Sequence, residues 1–333
     1  MAVSVVIPTY NATPFIAETL ASVFAQTRLP DEVIVVDDCS PDGTVALVES
    51  IAATAPVPVR VIRLPANSGG PSAPMNAGVR ASESDILVLL DQDDLMAPER
   101  IARHCEGFER PGVGFNFGWI TRIDGAGVRH PGFYMVEPSR VIGTAAAEVG
   151  PGVWSLDSPR VYTDLLLHGA LASASNLAFR KSLWVAVGGF REDLQFCWDC
   201  EFLCQATRRS EVAYIDTCLT YYRLHGGNFH KVSPRFAAEW IAFLASHYAN
   251  PLWPLDRASL AAVIREAYMD RGYRHSTAGQ PIAAAKAYAT ALRYGASPRT
   301  SAWRTTKAFA RAARDCLRPG SAGTTSNAAG AGP

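Results

Sequence analysis

Residues Asp91-Gln92-Asp93-Asp94 place three carboxylates within four positions, directly after the apolar run Leu87-Val88-Leu89-Leu90. Such crowding is repulsive unless a cation or a set of hydrogen-bond donors occupies the site. In extended chain Asp91 and Asp93 project to the same side, roughly 6.5–7 Å apart. One can then meet a metal while the other meets a ribose or bridges through water. Hard oxygen ligands suit magnesium or manganese, with diphosphate oxygens completing the shell. The plainer reading is an acidic turn with Asp94 near a helix start. A second acidic pair, Asp37-Asp38, follows the run Val33–Val36. Carboxylates at the carboxyl edge of a parallel strand sit where α/β sheets bind ligands, and can accept hydrogen bonds from a nucleobase imide or ribose hydroxyls. Equally, Asp37 or Asp42 can cap the helix that follows.

Other chemistries are disfavoured by what surrounds these residues. The first apolar run leads into Pro8-Thr9-Tyr10-Asn11 rather than Gly-x-Gly-x-x-Gly, which argues against a dinucleotide-binding dehydrogenase. A sugar nucleotidyltransferase would place a Gly-rich, basic loop at the same point, and none is there. Cys197, Cys200 and Cys204 fall on one helix face. No second Cys/His pair follows at zinc-ligand spacing, so they read as buried thiols. Basic and acidic residues balance at 31 each, leaving no electrostatic case for nucleic acid. Seven scattered cysteines do not form a disulfide framework. The opening residues lack a basic leader region, and no apolar stretch is long enough for a membrane helix. A cytoplasmic protein is the expectation.

The elements that position these residues alternate strand and helix. Val3–Ile7, Val33–Val36, Val59–Leu64 and Ile86–Leu90 read as strands covered on both faces. Helices are predicted after Thr13-Pro14 with Ile16, Leu20, Val23 and Phe24 inward, after Asp42-Gly43, after Pro71, and after Pro98. This alternation predicts a mostly parallel α/β sheet. From Gly112 to about Ala170 frequent Gly and Pro predict long loops and short strands. Ser173–Phe179, Ala213–Ile215 and Leu219–Leu224 read as further strands, with a helix through Phe202 and Leu203 between them. Beyond Phe236 the chain turns helical, with Leu260–Tyr268 and Ile282–Leu292 separated by Gly279-Gln280-Pro281. From Pro319 the Gly/Ala/Ser/Thr-rich composition predicts disorder.

Val5-Val6-Ile7-Pro8-Thr9-Tyr10-Asn11, Val35-Val36-Asp37-Asp38-Cys39-Ser40, Asn67-Ser68-Gly69-Gly70, Asn76-Ala77-Gly78 and Asp91-Gln92-Asp93-Asp94, in this order, resemble family 2 glycosyltransferases. The resemblance spans roughly residues 1–230. It implies a GT-A fold: a Rossmann-like, mostly parallel central sheet flanked by helices, here with a C-terminal helical appendage. The implied domains are 1–235, with a nucleotide-sugar half to about 110 and an acceptor half after it, then helices over 236–316 and a tail over 317–333. Donor contacts are implied for Pro8, Thr9, Tyr10, Asp38, Asn67, Gly70, Asn76, Asp91 and Gln92, and metal ligation for Asp93 and His225. The family's catalytic carboxylate falls on Asp199, with Glu201 as runner-up and Trp198 where a glutamate is usual. Arg223, in Tyr222-Arg223-Leu224-His225-Gly226-Gly227, is implied to stabilise departing negative charge, and His230 is a further candidate. Pro74-Met75-Asn76 replaces the family's frequent Ala-Arg-Asn.

The activity so implied is inverting transfer of a sugar from a nucleotide-diphosphate donor, with a UDP-sugar and Mn2+ or Mg2+ expected, to a hydroxyl of a glycan or lipid-linked acceptor in cell-envelope glycan synthesis. A non-catalytic nucleotide-sugar-binding protein is the alternative, with a sugar nucleotidyltransferase ranked below it. Arg293, Arg299, Arg304, Arg311 and Arg314 make the last helices basic, which suits either peripheral contact with an anionic membrane surface or a solvated face. Oligomeric state is left open.

Overall fold

The structure is a computed structural model and describes residues 1–134, 137–143, 145–168, 173–228 and 235–316. Four strands open the chain: β1 (Val3–Thr9), β2 (Glu32–Asp37), β3 (Val59–Arg63) and β4 (Ile86–Leu89). They pair in parallel in the order β3-β2-β1-β4. β1 and β4 are buried at every position, as their unbroken apolar runs require. Between the strands lie α1 (Ile16–Phe24), α2 (Thr44–Ala52) and α3 (Ser72–Ala81), and after a short strand β5 (Leu95–Met96) comes α4 (Arg100–Gly107).

α1 buries Ile16, Leu20 and Val23 on the expected stripe, but Thr13 does not cap it. The Thr13 hydroxyl donates instead to Asp42 Oδ2 at 2.9 Å. Asp42 is itself the residue that starts α2: its Oδ1 accepts the Thr44 N–H at 3.1 Å and the Thr44 hydroxyl at 2.6 Å. α3 lies close on β1 and β2 because Gly78 has no side chain. A Cβ there would stand 2.4 Å from Val6 Cγ1 and 3.2 Å from Val36 Cγ2.

The second half of the sheet holds longer strands than its composition predicts. β6 (Val113–Asp124) is a twelve-residue strand in a region that reads as loop. Its glycines are the reason for both facts. A Cβ on Gly114 would meet Ser210 at 2.4 Å, and one on Gly118 would meet the Thr217 carbonyl at 2.6 Å. They are therefore sites of close approach rather than turns. After β7 (Arg129–His130), α5 (Pro138–Ile142), β8 (Ala145–Gly150), β9 (Val153–Leu156) and α6 (Ser158–His168) comes β10 (Leu177–Arg180). β10 runs antiparallel between β4 and β6 and joins the two halves of the sheet. Of the expected strand Ser173–Phe179, residues Ala174–Asn176 form a 3₁₀ turn instead. Two expected strands prove to be one, β11 (Glu211–Leu224), with register shifts on either side of Cys218. α7 (Lys181–Val187) and α8 (Trp198–Ala206) precede it.

The chain divides into two compact units, Met1–Asp256 and Arg257–Pro333. The helix Phe236–Ala249 belongs to the first, past the boundary expected at 235, because Glu239 and His247 bond to α8 and its approach. The second unit packs the helices Arg257–Thr277, Pro281–Ala291 and Pro298–Cys316 around Met269, Ala284, Tyr288 and Ala308. The expected tail, 317–333, lies outside the described residues. Among the described residues no helix is long and apolar enough to cross a membrane.

Gly78→Val should force α3 off β1 and lower stability by about 1–3 kcal/mol, the usual cost of overfilling a packed contact. Urea unfolding measures it; an unchanged midpoint would mean that the helix–strand approach is not tight.

Candidate active site

The acidic turn hangs from the end of β4. Asp91 donates its N–H to Ser175 Oγ at 2.7 Å, which ties the turn to the 3₁₀ segment before β10. Burial, reinforced by repulsion from Asp93 and then Asp199, pushes the Asp91 carboxyl up to about 7. Asp94 is almost fully buried, accepts the Arg223 N–H on Oδ1 at 2.8 Å, and has no hydrogen-bond partner on Oδ2. Burial and then the charges of Asp93 and Asp91 raise it well above the carboxylate range. That Asp199 repels Asp91 brings a residue more than a hundred positions away into the same field.

Two buried arginines answer this charge. Arg100, on α4, is fully buried; it donates to the Leu89 carbonyl at 2.7 Å and to His104 Nε2 at 3.2 Å. Its charge favours ionisation of Asp91. His104 is a neutral spacer: burial and the neighbouring Arg100 bring its pKa down to about 3. Because Nε2 accepts from Arg100, Nδ1 carries the proton and donates to Asn116 Oδ1 at 2.6 Å. Arg223, on β11, is also fully buried. It donates to the Asp93 carbonyl at 2.8 Å, the Gly125 carbonyl at 3.3 Å and Glu18 Oε2 at 2.7 Å. Arg223 thus braces the turn, with its guanidinium engaged by protein atoms.

His225 faces Asp93. Its Nδ1 accepts the Gly227 N–H at 3.1 Å, so Nε2 carries the proton and donates to Asp93 Oδ2 at 2.8 Å. Both side chains are 18% exposed, so the pair opens to the outside of the site. The Phe15 ring packs on the imidazole with centroids 4.6 Å apart. His230 lies outside the described residues.

Asp199 is the second residue of α8. Burial raises its carboxyl to about 6, against the opposing pull of backbone N–H groups of Cys200 and Ala174. Glu201 points elsewhere. Its Oε2 meets His247 Nε2 at 3.0 Å and its Oε1 accepts from Gln205 at 3.0 Å, and His247 Nδ1 in turn meets the Tyr162 hydroxyl at 3.0 Å. Cys197, Cys200 and Cys204 are buried thiols outside any disulfide, as expected.

The turns that follow β1 and β2 adopt left-handed backbone at non-glycine residues, Asn11 (φ 52°) and Cys39 (φ 62°). Such conformations persist where the surroundings over-determine them, commonly at binding sites. Tyr10 and Gln92 exchange two bonds: Tyr10 N–H to Gln92 Oε1 at 2.7 Å, and Gln92 Nε2 to the Tyr10 carbonyl at 3.1 Å. Gln92 therefore locks the β1 turn to the acidic turn, while the Tyr10 ring is exposed. Pro8 and Thr9 are buried, paired with Val36 and Asp37 across the sheet. Asp38 spends its carboxylate on the next loop, accepting the Ser68 N–H at 2.9 Å and the Ser68 hydroxyl at 2.9 Å. Asn67 closes that loop, accepting the Gly69 N–H at 2.9 Å and donating to the Asp38 carbonyl at 3.2 Å. Gly70 packs on Gln195. Asn76 is buried and bonds the Phe190 backbone through both its oxygen (2.9 Å) and its nitrogen (2.8 Å). It staples α3 to the loop before α8. Asp37 is fully buried, holds Ser40 N–H at 2.9 Å on Oδ2, and leaves Oδ1 without a partner.

The chain matches the family described as Glycosyl transferase family 2 over residues 4–147. Its fold is the GT-A fold. Among proteins it resembles is the uncharacterized glycosyltransferase YwdF of Bacillus subtilis, 27% identical over 67% of this chain and 74% of that protein. Another is TarS of Staphylococcus aureus, a poly(ribitol-phosphate) beta-N-acetylglucosaminyltransferase, 37% identical over 30% of this chain but only 18% of TarS. The crystal structure of TarS 1-349 in complex with UDP-GlcNAc superposes with a TM-score of 0.64 at 21% identity, covering 95% of this chain and 89% of that one. Mannosyltransferase PcManGT from Pyrobaculum calidifontis, in complex with GDP-Man and Mn2+, has a TM-score of 0.54 at 20% identity, covering 94% and 86%.

Among the described residues no three His, Cys, Asp or Glu side chains already converge as a metal cage. Asp93 and His225 are nonetheless a fitting oxygen–nitrogen donor pair, open to solvent in a field of excess negative charge. Ligation through Nε2 would require the His225 proton to move to Nδ1 and the Gly227 N–H to turn away. Sequence reasoning missed Arg100, Ser175 and Glu239. Only Arg100 left a signal, a charge on the helix face that buries Ile101 and Cys105.

Arg223→Met should cost about 3–5 kcal/mol of unfolding free energy, because the charges and carbonyls it meets lose their buried partner. Urea titration of the full chain checks this; a loss below about 0.5 kcal/mol would make Arg223 an ordinary surface cation.

Proposed function

We propose that this protein is a metal-dependent inverting glycosyltransferase. It moves a sugar from a UDP-sugar to a hydroxyl of a glycan or lipid-linked acceptor in cell-envelope glycan synthesis. The observation that carries the reading is the convergence of Asp199, Asp91 and Asp93 on one field at the carboxyl edge of the sheet. UDP-GlcNAc in the TarS complex and Mn2+ in the PcManGT complex support the choice of donor and cation.

In this scheme Asp199 accepts the acceptor hydroxyl proton as that oxygen attacks the anomeric carbon, and the nucleoside diphosphate leaves from the opposite face. One base and one in-line displacement invert the centre, by the geometry that governs inverting glycosidases. Asp93 and His225 would hold a divalent cation, which neutralises diphosphate charge when bound. Asp91 and the β1 and β2 turns at Thr9, Tyr10 and Asp38 receive the nucleoside. Arg223 acts through the Asp93 carbonyl and the Asp94 carboxylate, so it is a positioning residue. A cytoplasmic location belongs to the same proposal. So does contact of the Pro298–Cys316 helix with an anionic membrane surface, supported by its arginines and by the exposed Trp303 and Phe309.

Asp199→Asn should abolish sugar transfer while UDP affinity stays within about threefold of wild type. Retained turnover would remove Asp199 from the role. Because burial holds its carboxyl up at about 6, the proton-accepting form is lost as pH falls through that value. The kcat/KM profile should therefore fall about tenfold per pH unit below 6. An acid limb near 4, the range of an unperturbed carboxylate, would contradict the assignment.

A further inference from the structure

The Glu239 carboxylate, on the helix Phe236–Ala249, accepts three consecutive backbone N–H groups from another segment. Oε2 takes that of Gln195 at 3.0 Å, and Oε1 takes those of Phe196 at 2.7 Å and Cys197 at 2.8 Å. Those residues enter α8, whose own N-cap, Cys197, makes no side-chain cap bond. An anion from a distant helix thus does the work that a local Ser, Thr or Asp would otherwise do. Asp199 lies two residues beyond the last clamped amide.

The same segment reaches the donor side. A Cβ built on Gly70 would stand 3.5 Å from Gln195 Cα, and one on Gly69 would stand 3.5 Å from Gln195 Nε2. The Ser72 hydroxyl donates to the Leu194 carbonyl at 3.3 Å. Residues 194–197 therefore run between the Asn67–Gly70 loop and α8. The Phe196 and Phe236 rings meet edge to face at 5.6 Å beside the clamp, and His247 grips Glu201 further along α8.

We infer that Glu239 is a positioning residue for transfer: by clamping Gln195, Phe196 and Cys197 it fixes where α8 presents Asp199 relative to the donor loop. The inference rests on Asp199 being the base. A base displaced by about 1 Å loses on the order of 10²-fold in rate, so the clamp is felt in kcat. It also makes the helix after residue 235 a part of the catalytic unit.

The test compares the full-length wild type with Glu239→Ala and Glu239→Gln. Steady-state transfer from UDP-GlcNAc is measured alongside amide hydrogen exchange. Glu239→Ala should lose about 10²-fold in kcat with KM for the donor within about threefold, and the amides of Gln195, Phe196 and Cys197 should lose protection while β1 and β4 keep theirs. Glu239→Gln keeps an acceptor for Phe196 and Cys197 but turns an NH2 toward Gln195. It should fall between the two in kcat and expose the Gln195 amide selectively. Wild-type kcat in either folded variant, or a kcat loss with all three amides still protected, overturns the inference. If Glu239→Ala does not fold, Glu239→Gln decides by the same criteria. A wild type that transfers no sugar counts against the proposed function instead, and the exchange pattern then decides the clamp alone.

Discussion

Like-charge repulsion at the end of β4 is the constraint around which the molecule is arranged. Asp91, Asp93 and Asp94 sit within four residues, and Asp199 joins their field from α8. Carboxylates in partial burial at such spacing cannot all ionise without compensation. The protein supplies part of it from behind, with Arg100 and Arg223 both fully buried beneath the turn. Neither guanidinium reaches the open side. The remaining repulsion holds Asp91 and Asp94 toward their protonated forms, while the Asp93–His225 pair opens outward.

Each neighbouring element can be understood as holding that turn in place. Ser175 and Gln92 tether it to the 3₁₀ segment and to the β1 turn. Arg223 binds it from β11 while reaching Glu18 on α1. Asp38, Asn67 and Ser68 build the adjoining loop from hydrogen bonds among themselves. Several residues that look like ligand contacts in sequence are therefore the frame of the pocket. The groups that the proposed function assigns to a substrate are fewer: Asp91, the Asp93–His225 pair, Asp199, the exposed Tyr10 and the backbone of the strained turns.

The first half of the fold was readable because its signals are local. Unbroken β-branched runs, Asp42-Gly43 before a helix and the acidic turn after β4 depend on neighbours in sequence. The second half was obscured by long-range contacts. Gly114 and Gly118 read as turn residues, yet they are glycine because β11 and the segment before it crowd them. Asp199, Arg223 and His225 stood out through the family resemblance, and the structure brings all three to the acidic turn. The type of Arg223 says nothing about which side of the turn it occupies. Glu239 gave no signal, because a helix cap supplied from over forty residues away has no sequence pattern.

Calorimetric titration of the full-length protein with UDP, with Mn2+ and then with the metal chelated, tests the central claim most directly. The expected result is UDP binding that requires Mn2+, with Asp93 and His225 the residues that would hold the cation. Equal affinity with and without the metal, or no binding in either condition, would contradict a metal-completed diphosphate site and the activity built on it.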